Sequence, residues 1–466
     1  MVFNSLQYAV FLPLVLAVYW RAGRRRQNVL VLVASYAFYA MWDWRFLPLM
    51  LLSTTTDFTV GRLLEQTDDD RRRTRIFLLS LVVNLGVLGF FKYANFFVDS
   101  GAASLRAIGI DVDSPTWQIL LPVGISFYTF HGISYTFDVY RREIRASHSP
   151  LDFAVFVAFF PQLVAGPIGR AQLQLPQFQR ERTRPDLDGV RSAALLILLG
   201  LFKKVAIADA LAPYVNDAFR GGAGWVTLLV GVYAFALQIY GDFSGYSDMA
   251  RGSARLLGIE LPSNFEQPYL SRNITDFWQR WHISLSTWLR DYLYVPLGGN
   301  RRGRRRTYIN LLLTMLLGGL WHGAAWTFVA WGAIHGGLLA HHRWWQVRHP
   351  ATNPAPWARA LATVATFHAV CLAWVFFRAP SIGDALRYLK GILTLRPGPV
   401  DRDALLVLAC ASVAALVIDV AQRRAREHEV VLRWPAAVRG VTYATFGVAI
   451  LLFSGGAPVP FIYFQF

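Results

Sequence analysis

The chain has 466 residues, of which 55% are apolar and only 16% charged, against about 25% charged in a soluble protein. With mean hydropathy at +0.35, this composition excludes a disordered chain and argues against a water-soluble enzyme. The net charge of +17 falls in arginine clusters between apolar runs, which reads as a positive-inside topology signal and excludes a nucleic acid partner.

In chain order, Val2 to Trp20 is long enough to span a bilayer core, which takes about 20 residues. Met1 to Gln7 lacks Lys and Arg and no small-x-small site precedes Arg21, so a cleavable signal is not expected. Alternation then places Arg21 to Arg26 inside, Asp43 to Arg45 outside and Arg71 to Arg75 inside. The loop Asp99 to Ser114, with Asp99, Asp111 and Asp113 against Arg106, is outside, and Arg141, Arg142 and Arg145 are inside. Five spans obey one orientation. Phe153 to Ile168 is apolar but flanked by basic segments and contains Pro161, Gly166 and Pro167, which predicts a re-entrant piece. Val190 to Ala212 carries Lys203 and Lys204 in its middle, where charge faces a cavity or a partner. Trp225 to Asp248 is a clean span, Leu261 to Arg306 is too polar to cross, and Tyr308 to Ala340 is apolar and rich in Gly and Trp. Ala358 to Phe377, Ala404 to Ala421 and Val441 to Phe453 complete the set. The pattern predicts an all-α polytopic membrane protein, one domain over 1–466, with about ten to twelve membrane helices plus re-entrant and interfacial helices. Cys371 and Cys410 lie in apolar stretches with neither metal spacing nor a disulfide framework.

Soluble-enzyme motifs such as G-x-S-x-G, Walker A and H-E-x-x-H are missing from the sequence. His148 and Asp152 make a weak H-x-x-x-D match in a basic loop. His322 stands out as the residue that titrates near neutrality within Thr307 to Ile334. A helix starting after Arg306 places it about 24 Å into a core about 30 Å thick. An ionisable group there is a functional candidate, with an interhelical packing histidine as the bland alternative. His335, its local rival, is expected near a helix end. A second stretch, Phe277 to Tyr294, puts Trp281, Leu285, Trp288 and Tyr292 on one helical face, with His282 and Ser286 one turn apart beside it. That predicts a helix lying at the membrane surface, with an interfacial anchor as the alternative. In Tyr240 to Arg251, Asp242 and Asp248 line a polar cavity or pair with arginines, pairing being the simpler reading.

Six segments together resemble the membrane-bound O-acyltransferase superfamily, and within it the alginate O-acetyltransferase branch. They are LPVGISFYTF (121–130), FFPQLVAGPI (159–168), GDFSGYSDMA (241–250), FWQRWHISLSTWLRDYLYVPLGGNR (277–301), GGLWHGAAW (318–326) and FIYFQF (461–466). The resemblance implies catalysis by His322, a supporting role for His282, and a helical funnel with a tunnel joining the two membrane faces. Trp281, Ser286, Trp321, Asp242 and Arg301 are the expected substrate-binding residues. No metal and no tightly bound cofactor are expected.

Histidine suits such chemistry because its ordinary pKa is near 6.5 and an apolar setting keeps it neutral and basic. The expected donor is a cytoplasmic thioester, acetyl-CoA or an acyl carrier protein. The expected acceptor is a hydroxyl of an exported polysaccharide or other extracytoplasmic molecule, reached directly or through a periplasmic SGNH-type transferase. Membrane lipid surrounds the chain in a bacterial inner membrane. D-alanyl or other acyl transfer, a transporter and a non-catalytic scaffold remain as alternatives.

Overall fold

The computed structural model describes residues 1–112, 119–164, 166–349, 355–455 and 459–462. Asp113 and Ser114 of the predicted outer loop, Ala165 of FFPQLVAGPI and residues 463–466 of FIYFQF lie outside the described residues. The described residues form helices joined by turns, with no strand among them. A helix satisfies its own backbone hydrogen bonds, which is what an apolar solvent requires. Five helical stretches are long and apolar enough to cross a membrane: Asp70–Ala107, Trp225–Leu256, Pro356–Arg378, Arg402–Ala425 and Ala436–Phe453. The protein is therefore a multi-pass membrane protein. The chain divides into two compact units, Met1–Leu187 with Ser253–Leu261, and Asp188–Gly252 with Pro262–Phe466.

In the first unit, the helices Leu47–Glu65, Asp70–Leu88 and Ile125–Tyr140 pack on one another. Arg73, from the predicted topology cluster, is only 4% exposed. Its guanidinium donates to the carbonyls of Leu64, Thr67, Val139 and Tyr140. These groups close the ends of two helices, whose last carbonyls have no partner within the helix. The predicted re-entrant stretch forms two short helices, Pro150–Ala158 and Phe160–Leu163. At 1.5 Å per residue neither reaches across a core of about 30 Å. His148 and Asp152 do not form a pair: exposed His148 meets Glu65 at 2.9 Å, whereas buried Asp152 accepts from Asn28 at 2.7 Å.

In the second unit, the helix Leu187–Phe202 passes through a π-helical turn, Lys203–Asp209, into Ala210–Phe219. Both lysines are buried and paired. Lys203 meets Asp248 at 2.8 Å, and Lys204 meets Asp209 at 2.7 Å and Asp242 at 2.9 Å. A buried ion without such a counter-ion costs several kcal/mol, so the lysines and aspartates require each other. The run Tyr308 to Ala340 is not one helix. It is a hairpin of Arg304–His322 and Trp326–Arg348, and the two backbones touch. A Cβ on Gly319 would overlap the Phe328 carbonyl oxygen, and one on Gly332 the Met315 carbonyl oxygen. Glycine permits this approach, the usual device for close helix pairs in membranes.

Candidate active site

His322 is the last residue of Arg304–His322, and the chain leaves the helix at Gly323 in an extended conformation. A Cβ on Gly323 would run into the Phe328 ring, so glycine is needed for the break to close against the following helix. The His322 ring is 4% exposed. It is walled edge-on by Trp321 and Trp331, both with centroids at 5.1 Å, and by Phe377 at 5.3 Å.

The predicted surface helix over Phe277 to Tyr294 is corrected in two respects. The segment is broken into Ile274–Trp278, Ile283–Leu289 and a π-helical turn, Arg290–Tyr294. Its aromatic face is also buried: Trp281 is 1% and Leu285 0% exposed. Leu285 and Trp288 share the helix Ile283–Leu289 and Tyr292 falls in the π-helical turn, but His282, with left-handed backbone at φ 43°, separates them from Trp281. A non-glycine residue there is uncommon and held by its surroundings.

His282 is fully buried. Its Nδ1 lies 3.2 Å from Asn264 Oδ1, which also accepts from the Ser284 amide at 3.2 Å and the Ser284 hydroxyl at 2.9 Å. An oxygen acceptor at Nδ1 calls for the proton on that nitrogen, which leaves the lone pair on Nε2. Among the described residues Nε2 has no hydrogen-bond partner. Burial pushes the imidazole well below its ordinary value, to about 3, so it is neutral at physiological pH. Phe243 stands edge-on to the ring at 4.5 Å and Trp321 at 6.1 Å. The His282 and His322 centroids are 6.5 Å apart, so two buried imidazoles share one aromatic chamber.

Of the predicted substrate residues, the structure brings Trp321 against both histidines. Trp281 lies behind His282, packed on Phe265, Phe277 and Trp374. Ser286 is half-buried, one turn along the helix. Arg301 is exposed and precedes the N-terminus of Arg304–His322, a helix about 28 Å long. It belongs to the far end of that helix and cannot touch the same atom as His322. Asp242 is paired: one carboxylate oxygen meets Lys204 and the other accepts from the Ile462 amide at 2.7 Å. It is a buried counter-ion.

His335 is also corrected. It sits in the body of Trp326–Arg348, wholly buried. Its Nδ1 accepts from Trp278 Nε1 at 3.3 Å, and its ring lies 4.6 Å from Trp331, which in turn walls His322. The helix runs on past His335 to Arg348, with Gly336 and Gly337 accommodated within it. Sequence reasoning missed Asn264, whose signal was slight: one polar residue among others in the polar stretch SNFE. A separate cleft of about 380 Å³ is lined by Tyr233, Tyr240, Tyr269, Phe367 and Asp419 among others. Tyr240 and Tyr269 separate it from Trp281, at 6.2 and 5.9 Å.

Residues 72–379 match the model of the MBOAT, or membrane-bound O-acyltransferase, family, and this span holds both histidines. A probable alginate O-acetylase of Pseudomonas putida is 40% identical over the full length of both chains. A peptidoglycan O-acetyltransferase of Helicobacter pylori is 37% identical, over 78% of this chain and 73% of its own. A teichoic acid D-alanyltransferase of Streptococcus thermophilus is 29% identical, over 56% of this chain and 69% of its own. These relatives are acyl-transfer enzymes, which sets aside the transporter and scaffold alternatives. The chain belongs to the membrane-bound O-acyltransferase family and is an acyltransferase.

Proposed function

We propose that the protein transfers acetyl from a cytoplasmic thioester, acetyl-CoA or an acyl carrier protein, to a hydroxyl of an exported polysaccharide. The carrying observation is the pair of buried imidazoles 6.5 Å apart in one aromatic chamber. His322 takes the proton of the attacking hydroxyl as its oxygen adds to the thioester carbonyl. The C–S bond then breaks, and the proton passes to the departing thiolate, leaving ester and thiol. His282 presents its Nε2 lone pair to the acceptor hydroxyl and orients it. Trp321 walls both rings, Trp281 backs His282 from behind, and half-buried Ser286 lies one turn along the helix after His282. Arg301 and its neighbours through Arg306 draw the anionic donor to the far end of the helix.

Acetyl is favoured over D-alanyl because the full-length similarity is to an alginate O-acetylase, at 40%, against 29% over part of the chain for the D-alanyl enzyme. A polysaccharide acceptor is in keeping with the names of these relatives. In this reading the chain crosses a bacterial inner membrane ten to twelve times. Its N-terminus lies outside, its arginine clusters face the cytoplasm, and a periplasmic SGNH-type partner carries the acetyl onward where the polymer is not reached directly.

The test is His322→Gln. Glutamine keeps size and polarity but is not a base. The variant should insert and bind donor, yet lose about 10²- to 10⁴-fold in transfer, the usual contribution of a general base. The measurement is O-acetyl on polymer from cells with matched protein levels. Activity above about a tenth of the wild-type level would overturn the assignment.

A further inference from the structure

We propose that residues 459–462 form a strap that positions His282, with Lys204 and Asp242 as its anchors and Phe461 as the side chain that bears on the site. The functional part of this proposal rests on the reading above, in which His282 orients the acceptor.

The buried ion pair does more than neutralise itself. Lys204 Nζ, already at Asp209 and Asp242, also donates to the Val459 carbonyl at 3.2 Å. Asp242 Oδ2 accepts from the Ile462 amide at 2.7 Å. Two backbone groups three residues apart are therefore held by one ion pair. Phe461 and Ile462 are buried, and backbone polar groups beside buried residues must find partners; here a buried lysine and aspartate supply them. Their desolvation is costly, and holding this segment is a use beyond mutual pairing.

The clip and the site share one stretch of helix. Asp242 anchors the strap, and the next residue, Phe243, stands edge-on to His282 at 4.5 Å. Tyr246 lies one turn further on. Phe461, 2% exposed, packs on Tyr246 at 4.7 Å and on Phe243 at 6.0 Å. The Phe461 ring thus fills the space into which Phe243 would otherwise turn. Asn264 holds the Nδ1 edge of His282, and Phe243, backed by the strap, holds its face. Two-sided support is what a residue with left-handed backbone needs to keep one orientation. Phe461, Lys204 and Asp242 are positioning residues, since none touches His282 in this structure.

The experiment combines turnover with chemical protection in the full-length protein reconstituted in vesicles. Diethyl pyrocarbonate modifies accessible imidazoles, and peptide mapping reads His282 and His335 separately. Both are fully buried in the wild type, and His335 packs against Trp278, Phe277 and Trp331, away from the strap. In Phe461→Ala, His282 should become reactive while His335 stays protected. Turnover with acetyl-CoA should fall about 10- to 100-fold with KM little changed, the scale of a misplaced catalytic group. Phe461→Leu, which refills most of the volume, should recover both. Should the alanine variant not accumulate, Asp242→Asn, which keeps shape but loses the ion pair, is read by the same two measures. An unchanged His282 with unchanged turnover overturns the strap. So does parallel exposure of both histidines, because that is general loosening. If His322→Gln kept its activity, the functional reading would fall while the labelling result still judged the strap.

Discussion

Asn264→Ala removes a side chain that no substrate need touch, and should still disable the enzyme. The Asn264 carbonyl oxygen takes the His282 ring N–H and two donors of Ser284, while its amide donates to Ser247 at 3.2 Å. Leaving one buried donor unsatisfied costs about 1–3 kcal/mol. The imidazole relieves that cost most simply by rotating or by moving its proton to Nε2. Either change removes the lone pair that orients the acceptor in the proposed mechanism. At about 1.4 kcal/mol per factor of ten, kcat should fall about 10- to 100-fold, with donor KM nearly unchanged. Asn264→Asp separates geometry from charge. A carboxylate keeps the acceptor at Nδ1 but favours the imidazolium, which raises the His282 pKa from its burial-lowered position near 3. The assay is acetyl transfer in proteoliposomes between about pH 5 and 9, the range in which histidine chemistry is read. In the proposed mechanism activity needs neutral His282, which the wild type keeps throughout this range, so Asn264→Asp should lose activity at the acid end where the wild type does not. Wild-type turnover in Asn264→Ala, or coincident pH profiles for wild type and Asn264→Asp, would refute the reasoning.

His335→Gln still offers an acceptor to Trp278 Nε1, so turnover should drop less than about tenfold, below the range for a lost base; a loss equal to that of His322→Gln would place His335 among the reacting groups. Gly319→Val drives a side chain into the Phe328 backbone and should cost about 1–3 kcal/mol or more by overpacking, seen as a lower melting temperature in detergent. Gly337→Ala, on the same hairpin with nothing within 4 Å of the added methyl, should melt like the wild type, and equal destabilisation by the two changes would refute the contact argument.

What the sequence made legible followed from period and composition. Long apolar runs marked the five stretches that form long apolar helices, and isolation in such a run singled out His322 as a candidate. That Asp242 and Asp248 would be paired was readable because a buried charge demands a partner, but arginines were the expected partners and lysines are the close ones. Lys204 and Lys203 were not readable as those partners, since the π-helical turn at Lys203–Asp209 shifts side-chain faces in a way no 3.6-residue period contains. The break at His282 was hidden for a similar reason. Trp281, Leu285 and Trp288 keep helical spacing on either side of a single residue with left-handed backbone. Asn264 lies 18 residues from His282, and only tertiary structure brings them together. The surface-helix reading failed because an aromatic face looks the same in sequence whether it meets lipid headgroups or a protein interior.

Arg73 belongs to two moments in the life of the chain. While the protein is being made it is one of a run of positive charges, and such a run resists crossing the membrane. In the finished fold it is buried and joins the carbonyls of Leu64 and Thr67 to those of Val139 and Tyr140. The second pair is synthesised 66 and 67 residues after Arg73. The charge must therefore wait, solvated on the side where it was retained, until the helix ending at Tyr140 has been delivered. Docking that helix then becomes a latch: once the guanidinium is desolvated between two helix ends, withdrawing either one strands a buried cation. A residue in a charge run that resists crossing thereby also makes the finished packing hard to reverse.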